Sequence, residues 1–388
     1  MKEEHAARQI MEEFARRTGL LAAGEVPPRR YLWTDAFAVC NYLTLFQQSS
    51  LAEDRDTAVR LVDQVHGVLG HHRHDDPRSG WISGLDEQDG RLHPTAGGLR
   101  IGKKLPERQA GEPHDERLEW ERDGQYYHYL TKWMHALCRI SRATGNPTYT
   151  VWAVELGRRA HKAFCHNADS GPKRLYWKMS IDLSRPQVDS MGHHDPLDGL
   201  LTWISIQEQA ARLPSAIPLD LAAEISALAD MCRGINWTTA DPLGLGGLLA
   251  DAWRLAQLQG LKAGTSLPGL LTDMLDAALV GLSLYTRDNS MQQPAAYRLA
   301  FRELGLAIGL QAIARLEALV TSHPDLFRHE SDLVPLLKVL KEYVPLHKEI
   351  EQFWLRTENR AVPSWKEHGD INMVMLATSL APDCYLDL

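Results

Sequence analysis

The chain has 388 residues, 44% of them hydrophobic and 24% charged, with a formal net charge of −8. That apolar fraction is enough for a large core and excludes a natively disordered chain. The acidic balance argues against nucleic acid as the main partner, because phosphate binding needs a basic surface.

Residues 3–17 open the chain as a charged amphipathic helix, with Ala6, Ile10 and Phe14 on one face. They lack the apolar core and small-residue cleavage site of a signal peptide. No apolar run approaches the roughly 20 residues that span a bilayer, so a cytoplasmic location without a membrane partner is expected. The cysteines (Cys40, Cys138, Cys165, Cys232 and Cys384) are widely spaced, without a C-x-x-C pair. They read as reduced, buried thiols rather than a thiolate zinc site.

Helical periodicity then dominates, over 33–48, 54–69, 125–143, 147–165, 194–212, 217–233, 246–259, 268–285, 296–318, 331–357 and about 370–380. Thr34-Asp35, Gly145-Asn146-Pro147 and Asp241-Pro242 supply legible caps and stops. Short strand-like runs occur only at 80–83 and 175–179. The stretch 70–122 is rich in Gly, His, Asp, Arg and Pro, and reads as a long polar loop that can act as a lid. Within it, His71 to Asp76 reads as an exposed polar turn.

Two kinds of helix alternate. Some, such as 147–165, are amphipathic and charged; others, such as Asp195 to Ile206 and Leu304 to Leu316, are apolar nearly all round. A helix apolar all round is enclosed by other helices. The pattern predicts an all-α single domain over 1–388, a toroid of about twelve helices in two concentric rings. The enclosed helices open with polar clusters at Asp35, Gly124, Gly192, Asp241, Tyr297 and Gly369, and these clusters are expected on one rim.

The layout, with the motifs WTDAF (33–37), DGQYYHYLTKWMHAL (123–137), YWKMSIDLSRP (176–186), MGHHDPLDGL (191–200) and AYRLAFRELGLAIGL (296–310), resembles the six-hairpin (α/α)6-barrel superfamily. That group holds glycoside hydrolases and N-acylglucosamine 2-epimerase-like isomerases. The resemblance is one of architecture, and it implies a carbohydrate-active enzyme acting on a small-molecule or oligosaccharide substrate.

The densest rim cluster is His193, His194, Asp195 and Asp198. A helix N-terminus favours carboxylates, so capping is the plain alternative for the aspartates. The next is Asp123, Tyr127, His128 and Lys132, whose spacing of four from His128 to Lys132 lets both reach one face. Aromatic rings beside carboxylates suit sugars; a core stripe is the alternative.

Asp123, Asp195, Asp198, His194 and His128 are therefore the candidate catalytic residues. Trp33, Asp35, Tyr127, Lys132, His193, Asp241, Arg298 and His368 are candidates for binding substrate. No metal or other cofactor is expected. A carboxylate pair would hydrolyse a glycosidic bond. Paired histidines would epimerise or isomerise a sugar beside its carbonyl. A non-catalytic scaffold with a polar rim is the third reading. The expectation leans to hydrolysis, because this architecture so often hosts it.

Overall fold

A computed structural model describes residues 2–21, 27–168, 173–212, 219–261, 267–330 and 332–388. Backbone contacts sort the chain into two compact units, Ala15–Cys232 on one hand and Met1–Phe14 with Arg233–Leu388 on the other. Helix α1 (Lys2–Arg17) begins the chain.

The unit Ala15–Cys232 is built from three helical hairpins: α2 (Leu32–Ser49) with α3 (Ala52–Leu69), α4 (Tyr127–Thr144) with α5 (Thr148–Phe164), and α6 (Asp195–Ala211) with α7 (Ala222–Cys232). Helix α4 packs on both α2 and α6, so the first helices of the hairpins are neighbours. They are enclosed helices, as their composition requires; α2 is buried continuously from Leu32 to Leu45. The turn between α4 and α5 follows its sequence. Gly145 takes a left-handed φ of 69° and ends α4, and the Asn146 side chain accepts a hydrogen bond from the Thr148 amide at 3.0 Å.

The second unit is made of α8 (Pro242–Gly260), α9 (Leu270–Arg287), α10 (Ala300–Ser322), α11 (Leu333–Leu340), α12 (Leu346–Leu355) and α13 (Gly369–Leu380). Helix α10 lies against α8, α12 and α13. Where α8 and α10 cross, their backbones touch: a Cβ on Gly246 would strike the Gly305 carbonyl, and one on Gly309 would strike Gly246. Only glycine allows that approach.

Several expectations are corrected. The helix expected from 125 starts at Tyr127, because Gln125–Tyr126 pair antiparallel with Lys178–Met179, which in turn pair with Pro186–Val188. The helix expected over 331–357 is broken between Leu340 and Leu346, where Pro345 has no amide to continue it; residue 331 lies outside the described residues. The helix expected over 217–233 is seen as Ala222–Cys232, and 217 and 218 likewise fall outside them. Helix α10 is also long and apolar enough to cross a membrane by length and composition, contrary to expectation, and 61% of that window is buried inside the protein.

The stretch 70–122 is more structured than a polar loop. It carries two short helices, Glu87–Leu92 and Glu116–Glu121, and it buries Thr95, Leu99 and Ile101 completely. Its 71–76 segment forms an exposed turn only at His74 and Asp75. Arg73 is buried there and Asp76 is paired with Arg78 at 2.8 Å.

The α8–α10 crossing generates a prediction. Gly246→Ala or Gly309→Ala should lower the unfolding free energy by about 1–3 kcal/mol or more, read by urea denaturation. Gly247→Ala, where a Cβ would meet nothing within 4 Å, should be neutral or stabilise by up to about 1 kcal/mol.

Candidate active site

The site is assembled at the start of α4, and a buried anion sets that start. Asp123 has no exposed surface. One carboxylate oxygen accepts from Arg73 at 3.3 Å and Arg100 at 3.0 Å; the other accepts from the Gly102 amide at 2.9 Å. Asp123 was expected among the catalytic groups. With both oxygens occupied and no surface, it instead ties 70–122 to α4. Gly124 follows at φ 151°, where the Met179 carbonyl and the Lys178 side chain leave no room for a Cβ.

The next residues diverge. Tyr127 points inward; it is 1% exposed and packs on Phe164, with Gly199 leaving the space for its hydroxyl. Its expected place on the substrate surface is corrected to the core. His128 points the other way, with its side chain 29% exposed. Its ring stacks on Tyr126 at 5.3 Å, meets Tyr129 edge-on at 4.8 Å and lies 6.5 Å from Trp177. Trp177 in turn meets Trp120 edge-on at 4.9 Å, and Trp120 is 46% exposed. The result is an aromatic wall with His128 set into it.

Behind His128 stands the first turn of α6. Pro196 occupies that turn, where a missing amide costs nothing. Asp195 approaches His128, with Oδ1 3.7 Å from Nδ1. Both Asp195 Oδ2 and His128 Nδ1 are buried without a hydrogen-bond partner among the described residues. Burial, followed by the nearby Asp198 charge, pushes the Asp195 carboxyl up to about 7. Burial pushes the His128 imidazole down to about 4. Desolvation disfavours the charged form of each, so near neutral pH the two share protons as a carboxylic acid or carboxylate beside a neutral imidazole. Gly192 covers the carboxyl so closely that a Cβ there would collide with it.

Asp198 lies one turn further along α6, accepting from Lys132 Nζ at 2.7 Å and from the Thr131 hydroxyl. The expected Lys132 is thus an ion-pair partner of an expected carboxylate. His193 is exposed and His194, the residue before α6, is half-buried; their rings lie 4.6 Å apart.

Other expected residues are committed elsewhere. Asp35 pairs with Arg30 at 3.2 Å and accepts from the Tyr31 amide at 2.8 Å, both buried. Trp33 is 6% exposed and packs on Phe37, which corrects it to a core residue. In the second unit, Asp241 caps α8 through the Gly244 amide at 2.9 Å. Arg298 is corrected to a buried structural cation, held bidentately by Glu303 at 2.8 and 2.6 Å. His368 precedes α13 and lies edge-on to Phe301 at 5.5 Å. Trp120, Trp177, Tyr129 and Thr131 were not among the expected site residues; Trp177 falls in the strand-like run 175–179 and Tyr129 and Thr131 in the 123–137 motif, whereas Trp120 had no signal.

No protein-family model matches the chain, and no curated protein matches it by sequence. Among solved structures it is similar to a GH76 α-mannanase from Bacteroides thetaiotaomicron, at 13% identity and a TM-score of 0.53, over 98% of this chain and 97% of that one. The chain has the (α/α)6-barrel fold. It is also similar to a cellobiose 2-epimerase from Spirochaeta thermophila, at 12% identity and a TM-score of 0.47, over 84% of this chain and 83% of that one. A sugar epimerase from a ruminal bacterium matches at 10% identity and a TM-score of 0.47, over 89% and 86% of the two chains.

The Asp195 carboxyl carries a pH signature. Because its folded pKa lies above the unfolded value, the folded state binds more protons, and this carboxyl lowers stability progressively as pH rises from about 4 to 7. Asp195→Asn removes that dependence. The variant should therefore gain on the parent between pH 4 and 7, by roughly 3–4 kcal/mol at most, in paired denaturant titrations. A constant difference across that range would mean that the carboxyl is not desolvated.

Proposed function

We propose that this chain is a carbohydrate-active enzyme that moves a proton beside the carbonyl of a sugar, an epimerase or isomerase with His128 as the proton carrier. One observation carries the reading. Of the paired groups at this site, His128 alone is partly open, with 29% of its side chain accessible, whereas Asp195 and Asp198 are 6% and 4% exposed. A group that never meets substrate cannot exchange protons with it directly.

A neutral imidazole needs no prior deprotonation to act as a base. With Nδ1 turned to Asp195, the opposite nitrogen Nε2 takes the proton from the sugar carbon. The electron pair of that bond then delocalises onto the carbonyl oxygen. Delivery of a proton to the opposite face of the same carbon completes epimerisation; its return to the former carbonyl carbon, with the adjacent hydroxyl proton passing to the former carbonyl oxygen, completes isomerisation. Asp195 fixes the ring and balances its charge as the imidazolium forms. His193 and His194, at the start of α6, are the candidate acids for the proton delivered to the opposite face. The wall of Trp177 and Trp120, whose rings are partly exposed, suits the apolar face of a pyranose. The sugar-processing enzymes similar in fold agree with a carbohydrate substrate.

Hydrolysis remains the second reading, favoured by a specific observation: a carboxyl pushed up to about 7 beside an ion-paired Asp198 is the asymmetry of a general acid and its anionic partner. A panel of free aldoses, ketoses and glycosides separates the two. The proton-transfer reading expects aldose–ketose or epimer interconversion. His128→Gln should lower kcat by about 10²–10⁴ with KM little changed, and Trp177→Ala should mainly raise KM. Reducing-end release without interconversion would transfer the function to the aspartates. Undiminished turnover by His128→Gln would discard the site.

A further inference from the structure

The second unit contains a cavity of about 380 Å³ between the start of α8, the end of α9 and the start of α10. That volume falls in the range of small-molecule sites. Its floor is closed. Arg298 is held by Glu303 and the Met291 carbonyl, and its guanidinium stacks 3.7 Å over Phe353, so neither member of that ion pair needs a ligand.

The walls differ from the floor. Tyr285 is 4% exposed, yet its hydroxyl has no hydrogen-bond partner among the described residues. Burial raises its pKa well above the usual phenol value, so it stays protonated and able to donate. Arg302 pairs through one amino group with Asp241, while its buried Nε is likewise without a partner. Asp288 accepts from the Ser290 hydroxyl at 2.6 Å and has acceptor capacity to spare. Tyr297 is 80% exposed and Leu284 is 47% exposed. A buried polar group without a partner is costly, and a ligand that pairs it recovers that cost.

We infer that this cavity is a binding site for a neutral, pyranose-sized polyhydroxylated ligand. Two arginines face three carboxylates across the lining, which disfavours an anion. The lining holds no His or Cys, which disfavours a transition metal. Unpaired donors, carboxylate acceptors and an exposed aromatic ring are the set that hydroxyls and a sugar's apolar face engage. The ligand class agrees with the proposed function, but the site does not depend on the chemistry at Asp195.

Calorimetric titration of the full chain with the methyl glycosides of glucose, mannose and galactose, and of glucuronate, tests it. The titrations are run in His128→Gln to silence turnover. At least one neutral glycoside should bind in the millimolar range or tighter. For binding that persists in Trp177→Ala, Arg302→Ala and Tyr297→Ala should each raise Kd roughly fivefold or more. Tyr297 is so exposed that its truncation should not disturb folding, which thermal unfolding checks. Absence of binding by every neutral glycoside, binding of glucuronate alone, or affinity indifferent to both substitutions would overturn the inference. Loss of binding with Trp177→Ala would return it to the His128 site. Binding without catalysis would separate this site's fate from that of the proposed activity.

Discussion

The arrangement around His128 depends on one buried anion. Asp123, without exposed surface, is shared by Arg73, Arg100 and the Gly102 amide. Those partners come from the 70–122 stretch, and Asp123 itself stands two residues before the Gln125–Tyr126 strand. The Ile101 amide donates to the Gly124 carbonyl at 2.8 Å, which extends the same attachment along the backbone. A buried charge without its partners is strongly unfavourable, so the segment cannot detach without a cost of several kcal/mol, about 3–5 in comparable cases. Rigid attachment is what allows Tyr126, His128 and Tyr129 to leave the chain in fixed directions.

The chemistry available at the site then follows from desolvation rather than from any unusual side chain. A histidine and an aspartate in water would form an ordinary charged pair. Here burial lowers one and raises the other, so each is pushed towards its neutral form. A shared proton therefore rests on Asp195, which leaves His128 as the neutral imidazole that a base in sugar epimerisation or isomerisation must be. Asp198 sharpens the contrast. Its carboxylate is engaged by Lys132 and Thr131, and its charge contributes to raising Asp195.

The helices were legible because enclosed and amphipathic patterns differ over a dozen residues or more, and tertiary contacts merely confirmed them. The GHHDPLDG segment was legible as a polar helix start, and the His128–Asp195 approach joins two clusters that composition alone singled out. Partner choice was not legible. Asp35 and Asp123 look like Asp195 in sequence, yet arginines distant in the chain, or placed by a turn, decide that they are structural. Trp33 and Tyr127 show the same limit for aromatics, since the side facing the core depends on where α2 and α4 begin. The late start of α4 came from a two-residue strand pairing with 178–179, a long-range contact that local periodicity does not encode.

The proposed function turns on His128 carrying a proton to and from a sugar carbon. Turnover in heavy water, followed by mass spectrometry and NMR of the recovered sugar, measures it directly. Proton transfer by His128 requires deuterium at the carbon beside the carbonyl, appearing in step with interconversion and disappearing in His128→Gln. Product formed with no deuterium on carbon, or deuterium incorporated equally well without the imidazole, would contradict it.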